Sequence, residues 1–437
     1  MRRRKARFFW SIAILILILA GAAATRFYRL GYPPKFYFDE VYHAFTAIAY
    51  SHNDPRGYEW WNASPQEGTA YEWLHPPISK LLMALSIAIF GERSFAWRLP
   101  SAVFGIGVIF LTYDLTLVLL SGQVATRKMA RPTALLAAFL ASLDGLLIVQ
   151  SRIAMNDIFV TAFILMTLTF YWRWRQSKGQ KKYLILSGVF SGLAVATKWS
   201  GLFVIGTMAV IEVTNWWMTK RGGWRRWLKF GGTYILMPVG IYLLSYSQFF
   251  LQGHTLAQFR ELNNQIVRYE FGLKATHPYQ SKAWQWPILS KSVWYHVEYG
   301  LGITKNLTSN IYALANPILA WGGLGAMVWL LYRVVVERGQ RLEYGLVVLS
   351  YLAVWVPWLV SPRIMFFFHY TPAMPFLAIG VAIFLAQWWR KGEVAQGLVI
   401  SFIGLTVAAF IFFLPLWIGL PVPHENLNQY FWVSGWR

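Results

Sequence analysis

Residues 78–90 read ISKLLMALSIAIF, an apolar run whose assignment decides the layout of the chain. As a helix it would be roughly 20 Å long, against a hydrocarbon core of about 30 Å, so it is too short to cross a bilayer comfortably. Charge gives an independent test. Counting 78–90 as a span would place Arg127, Lys128 and Arg131, and then the cluster from Arg173 to Lys182, outside the cell. Treating it as a membrane-surface helix returns both to the cytoplasmic side, as the positive-inside rule requires. The expected spans are then 8–24, 98–120, 133–150, 157–172, 183–197, 200–218, 229–250, 311–332, 342–360, 364–388 and 396–418, about eleven in all. The pair 183–197 and 200–218 requires a break at Thr197-Lys198-Trp199.

Working outward, composition agrees with that layout. Hydrophobic residues make up 57% of the 437, aromatic residues 18% and charged residues only 13%, against roughly 25% charged in a soluble domain. The expected class is an all-α polytopic membrane protein with its N-terminus in the cytoplasm. MRRRKAR and the following apolar run read as an uncleaved first helix rather than a removed signal peptide. The N-terminal tail, Arg127–Arg131, Arg173–Lys182, Lys220–Lys229, Arg333–Arg341 and Arg390-Lys391 hold 23 of the 40 Lys and Arg. Because the net charge of +22 sits in short loops between apolar segments, it suits anionic lipid headgroups and no nucleic acid. With no cysteine, disulfides and thiolate sites are excluded. No repeat, low-complexity tract or soluble-domain boundary is visible, so 1–437 reads as a single transmembrane domain. Its outer face carries two long loops, 25–97 and 251–310, which hold 10 of the 18 Asp and Glu and six of the eight His.

The first loop opens with TRFYRLGYPPKFYFDEVYH (25–43). An adjacent Asp39-Glu40 pair at a membrane surface suggests acid–base chemistry, although Asp39 would equally suit the cap of a helix starting near Val41. In EWLHPPISK (72–80) the two prolines open the surface helix and hold His75 and Lys80 at its rim. A helix start favours an anionic group there, while Lys80 could simply snorkel. Arg98, Arg152, Lys198 and Arg363 fall at the outer ends of different spans. Singly each suits an interface anchor; together they suggest a pocket for a phosphate held at the lipid surface. Asp114 and Glu212 lie within spans and would support a transporter, but no inverted repeat accompanies them. Asn62-Ala63-Ser64 and Asn306-Leu307-Thr308 match the glycosylation triplet and are assigned no role. His277 with His254 or His296 is too loosely spaced for a metal. The aromatics of the second loop, Tyr279, Trp284, Trp286, Trp294 and Tyr295, suit anchoring in the headgroup zone, with stacking on a sugar or an extended peptide as the functional alternative.

These stretches resemble the protein O-mannosyltransferases, polytopic enzymes of the GT-C architecture. The likeness runs almost end to end: Arg26 in TRFYRL before FDEVYH, HPPISK, Arg98 in WRLPSAVFG, SRIAMNDIF, GLAVATKWSGLFV, THPYQSKAWQWPI, ANPILAW and PRIMFFFHYTPAMPF. The FDE, PP and RLPSA elements also resemble the aminoarabinose transferases that act on lipid A. Eukaryotic mannosyltransferases carry a β-trefoil domain in the second outer loop, for which 251–310 is too short, so the chain resembles the bacterial branch.

The resemblance implies transfer of mannose from polyprenyl-phosphate-mannose to Ser/Thr hydroxyls of exported polypeptides, at the outer face of a bacterial plasma membrane. Asp39 would be the general base, with Glu40 the competing assignment. Arg98 and Arg363 would neutralise the donor phosphate, followed by Lys80, His75 and Arg26, unless Arg26 instead braces the acidic loop. Single displacement would invert the anomeric configuration from β to α. The lipid-linked sugar is a substrate, so no cofactor is expected, and metal independence is predicted. A glycolipid or cell-surface polymer as acceptor is the alternative, and a membrane transporter the remote one.

Overall fold

The computed structural model describes residues 2–122, 127–177, 179–219, 223–303, 305–336 and 342–437, with side chains from Phe8 onward. The side chains of the N-terminal basic run and the basic-loop residues Lys178, Lys220, Arg221, Arg338 and Arg341 lie outside the described residues.

Among the described residues, eight helical stretches are long and apolar enough to cross a membrane: Phe8–Phe27, Ser94–Ser121, Trp199–Thr219, Trp224–Ser245, Pro317–Val336, Leu342–Val360, Phe367–Lys391 and Glu393–Ile418. The other three expected spans are helical but shorter, split or more polar. Helix α1 is Arg2–Phe27, α2 is Glu40–Ser51, α3 is the surface run Ile78–Phe90 and α4 is Ser94–Ser121. The stretch 133–150 is broken into α5 (Ala130–Ser142) and α6 (Gly145–Gln150), because Asp144 leaves the helical path to cap α6, accepting from the Leu147 N–H at 2.9 Å. Its other oxygen accepts the Asn316 N–H at 3.1 Å. The stretch 157–172 extends as α7 (Asp157–Gln176) into a turn bearing Arg173 and Arg175. The stretch 183–197 becomes α8 (Lys181–Val195), and the expected break follows it: Lys198 is extended, Trp199–Gly201 forms a 3₁₀ turn, and α9 runs Leu202–Thr219.

Beyond α9 come α10 (Trp224–Gly231), a π-helical turn, α11 (Met237–Ser245) and the short α12 (Ser247–Leu251). The second loop is neither featureless nor all-helical. It carries α13 (Leu256–Gly272) and two antiparallel strands, β1 (Val293–Leu301) and β2 (Leu307–Ala313). The alternating aromatic and β-branched residues of these segments favour a pleated surface. After α14 (Pro317–Val336), α15 (Leu342–Trp355), α16 (Met374–Trp388) and α17 (Glu393–Ile418), β3 (Pro421–Pro423) pairs with β2 and completes a β1-β2-β3 sheet.

The stretch Phe367–Lys391 is the centre of the bundle, with 94% of its most apolar window buried. Small residues let its neighbour approach: a Cβ added at Gly323 of α14 would lie 2.8 Å from Leu377, the kind of small-residue contact that packs membrane helices. Near the start of α7, Arg152 ties the bundle together. One of its terminal nitrogens donates to the carbonyls of Thr25, Arg26 and Tyr28 at the end of α1, and the other reaches the Ile418 carbonyl at the end of α17. A cation there satisfies the orphan carbonyls and complements two helix dipoles.

Candidate active site

The loop between α1 and α2 turns at Phe38, whose φ of 49° lies in the left-handed region, unusual for a bulky side chain and sustained only where the surroundings enforce it. Here aromatic rings enforce it. Phe38 stacks on Tyr295, with centroids 4.0 Å apart, and meets Phe368 edge-on at 5.8 Å. Tyr295 falls between the paired residues Trp294 and His296, where the β1 register shifts; such a bulge re-aims a side chain. The Gln150 amide donates to its hydroxyl at 2.7 Å.

The turn delivers Asp39 and Glu40 into opposite environments. Glu40 is fully buried and receives both Nε and Nη2 of Arg98 at 2.7 Å, together with the N–H groups of Ala154 at 3.1 Å and Tyr37 at 3.3 Å. The remaining donors of Arg98 go to the carbonyls of Leu30, Pro33 and Lys35. A guanidinium has five N–H groups, and all five are engaged inside the protein. Arg98 therefore braces the acidic loop and has nothing to offer a donor phosphate, which corrects the expectation for it.

Asp39 occupies the N-cap position of α2, yet its side chain makes no cap bond. Among the described residues its carboxylate has no hydrogen-bond partner. Burial pushes it up to about 7, helped by the nearby charge of Asp157 and opposed by Lys198. A carboxyl balanced near neutrality is suited to accept a proton at physiological pH.

Around Asp39 lie two further charged groups. Lys198 donates to Asp157 at 2.8 Å. Glu72 receives the ammonium of Lys80 and, at 2.6 Å, the Nδ1 of His75, with His43 at 3.6 Å. Burial alone would raise Glu72, but Lys80, His75 and His43 outweigh it and hold it well below the usual carboxylate range. Lys80 is fully buried and also donates to the carbonyls of Glu72 and His75, so it too is withdrawn from a phosphate. Arg26 is likewise enclosed, bonded to Ser151 and the Ala22 carbonyl; it is not the brace of the acidic loop.

His75, Lys198 and Arg363 do converge. All three line a cavity of about 350 Å³ whose other walls include Trp199, Phe203 and Trp358. Arg363 pairs with Glu270 of α13 across its rim. Asp39 is outside that lining but within the electrostatic reach of Lys198 and Arg363. The site thus holds an unpartnered carboxylate beside cations on an apolar, aromatic-walled cavity, an arrangement able to take a proton and neutralise a leaving anion.

Sequence reasoning missed Asp157 and Glu72 as parts of the site, and named Tyr295 only among the second-loop aromatics. Asp157 and Glu72 stand inside stretches read for their neighbours, SRIAMNDIF and EWLHPPISK, and acids flanking a span start were the available signal. Of the five second-loop aromatics named above, Trp286 and Tyr295 are buried in the core, Tyr279 and Trp294 are half-buried and Trp284 is exposed.

Two sequence models of one family together cover most of the chain: dolichyl-phosphate-mannose-protein mannosyltransferase over 66–253, and the C-terminal four-transmembrane region of protein-O-mannosyltransferase over 255–436. The chain belongs to the protein O-mannosyltransferase family. Among similar proteins of this family, a polyprenol-phosphate-mannose–protein mannosyltransferase of Mycolicibacterium smegmatis is 28% identical over 97% of this chain and 93% of that protein. One from Mycobacterium tuberculosis is 26% identical over 98% and 92%. In fold, this O-mannosyltransferase is similar to the Saccharomyces cerevisiae Pmt1-Pmt2 complex bound to its sugar donor, with a TM-score of 0.80 at 13% identity over 98% of this chain and 92% of that one. It is also similar to Cupriavidus metallidurans ArnT bound to undecaprenyl phosphate, with a TM-score of 0.59 at 15% identity over 93% and 64%.

Proposed function

We propose that this protein transfers mannose from polyprenyl-phosphate-mannose to Ser or Thr hydroxyls of exported polypeptides, at the extracytoplasmic face of a bacterial plasma membrane. The observation that carries the reading is Asp39: a carboxylate with no hydrogen-bond partner among the described residues, pushed up to about 7 by burial, within reach of Lys198 and Arg363, which face a cavity. Family membership and the full-length mycobacterial relatives supply the substrate class.

In the reaction, the acceptor hydroxyl gives its proton to the Asp39 carboxylate as its oxygen attacks the anomeric carbon. The bond from that carbon to the phosphate oxygen breaks, and its electron pair leaves with the polyprenyl phosphate. The leaving group is already a stable anion, so fixed positive charge rather than a general acid is the need. Arg363 and Lys198 supply it from the cavity wall, which His75 also lines. Attack opposite the phosphate inverts the anomeric configuration, so a β-linked donor gives an α-linked product. The chemistry needs no metal, and activity is expected to persist unchanged in chelator.

The deciding experiment incubates the purified protein in lipid with polyprenyl-phosphate-mannose and a Ser/Thr-rich peptide, alongside Asp39→Asn. A hexose mass shift, α-linked and lost by at least about 10²-fold in the variant, supports the reading. A β-linked product rejects single displacement, and donor binding without peptide modification moves the acceptor to a glycolipid or polymer.

A further inference from the structure

Arg363 separates two cavities. One is the reaction pocket; the other, of about 660 Å³, lies on its far side and shares with it only Ser361, Pro362 and Arg363. The second differs in chemistry. Lys274, Lys282 and Lys291 line it with Gln280, Gln285 and Ser281, and no carboxylate does. Lys274 and Lys282 are exposed, and Lys291 donates only to the Pro278 carbonyl, at 3.5 Å. None of the three pairs with an acid among the described residues. Cationic charge left without a counter-charge in a concave surface attracts anions.

A second observation concerns the backbone. Lys274 and Ala275, both in the cavity wall, lie in a non-helical stretch after α13. Their N–H and C=O groups make no hydrogen bond to any described residue. Open main chain of this kind pairs with another extended chain, and a lipid headgroup offers no such ladder.

We propose that this groove is the acceptor track, and that it selects polypeptides carrying Asp or Glu beside the modified Ser or Thr. The extended acceptor would run along Lys274-Ala275, its acidic side chains on the three lysines, and pass Arg363 to reach the reaction pocket. This inference rests on the protein-transferase reading above.

The test uses the full-length protein in neutral-lipid vesicles and three peptides with the same central Thr and acidic, neutral or basic flanks. Binding is read by fluorescence anisotropy and transfer by mass shift. The acidic peptide is expected to bind about tenfold more tightly than the neutral one, with the difference shrinking in salt. Lys274→Gln/Lys282→Gln/Lys291→Gln should abolish that preference while leaving the KM for donor and the transfer to the neutral peptide unchanged. The corresponding triple Lys→Arg variant should restore it.

Equal anisotropy for all three peptides overturns the inference, whatever the transfer assay shows. A triple-Gln defect that affects every peptide alike, and only when phosphatidylglycerol is added, overturns it in favour of a lipid headgroup in the groove. Loss of transfer to every peptide by the unaltered protein, with selective binding retained, sinks the catalytic reading and leaves the groove assignment standing.

Discussion

A carboxylate that is to take a proton from a hydroxyl must be unpaired and must not be too acidic. Among the described residues Asp39 meets both conditions, whereas its neighbour Glu40 fails the first, because Arg98 occupies both of its oxygens. Substitution should separate them. Asp39→Asn is expected to fold normally and lose turnover, with donor binding intact, as single-turnover and donor-binding assays would show. Glu40→Gln removes the counter-charge of a buried Arg98 and should cost about 3–5 kcal/mol of stability, read as a lowered thermal unfolding midpoint. The pH dependence follows from the same burial. With Asp39 pushed up to about 7, kcat/KM should rise with pH through that value, because only the deprotonated form accepts the proton. Asp157 is the negative neighbour that helps raise Asp39. Asp157→Asn should therefore move the acid limb to lower pH; an unmoved limb would show that Asp39 does not govern it.

At the level of elements, helix and strand junctions aim the site: the strained turn at Phe38, the β1 bulge at Tyr295, and the break at Lys198. Close packing behind them leaves little room. A Cβ at Gly105 of α4 would lie 2.0 Å from the Ser151 hydroxyl and 3.2 Å from Arg26 Nε. Gly105→Ala is thus expected to destabilise by about 1–3 kcal/mol, measurable by thermal unfolding in detergent. The sequence made the apolar helices, the short run 78–90 and the break near Lys198 legible, because hydrophobic length and charge placement are local properties. It did not reveal the split at Asp144 or the hairpin. The Asp144 cap depends on Asn316, remote in sequence, and β1 and β2 draw part of their order from β3 near the other end of the chain. The roles of Arg98 and Lys80 were hidden for the same reason: a cation reads alike whether it faces a ligand or a buried glutamate, and only the fold names the partner.

Across the whole molecule the charges divide into two levels. Arg98 and Asp157 stand near the starts of α4 and α7, while Asp114 and Arg173 stand near their ends, roughly 24 Å away along each helix. Asp114 pairs with Arg173 at 2.6 Å. Glu212 is shared by Arg175 and Arg226 and receives the Tyr171 hydroxyl. These acids staple helix ends together, which removes the main support for an ion pathway. Asp114→Asn should leave mannosyl transfer unchanged, and Glu212→Gln should lower the unfolding midpoint while the surviving folded fraction transfers at the normal rate. A loss of donor-coupled ion movement in either variant would revive the transporter reading.

The contacts of Arg152 also join residues that lie far apart along the chain. Its carbonyl partners at the end of α1 precede Arg152 in the chain, whereas the Ile418 carbonyl comes only with the end of α17. The strand that closes the sheet comes later still, and the ring nitrogen of Trp436 then donates to the Leu289 carbonyl in the segment leading into the strand that bears Tyr295. The turn that bears Asp39 thus rests on Tyr295 of β1, and residues remote in sequence, in β3 and at Trp436, help to hold the sheet and the segment behind it.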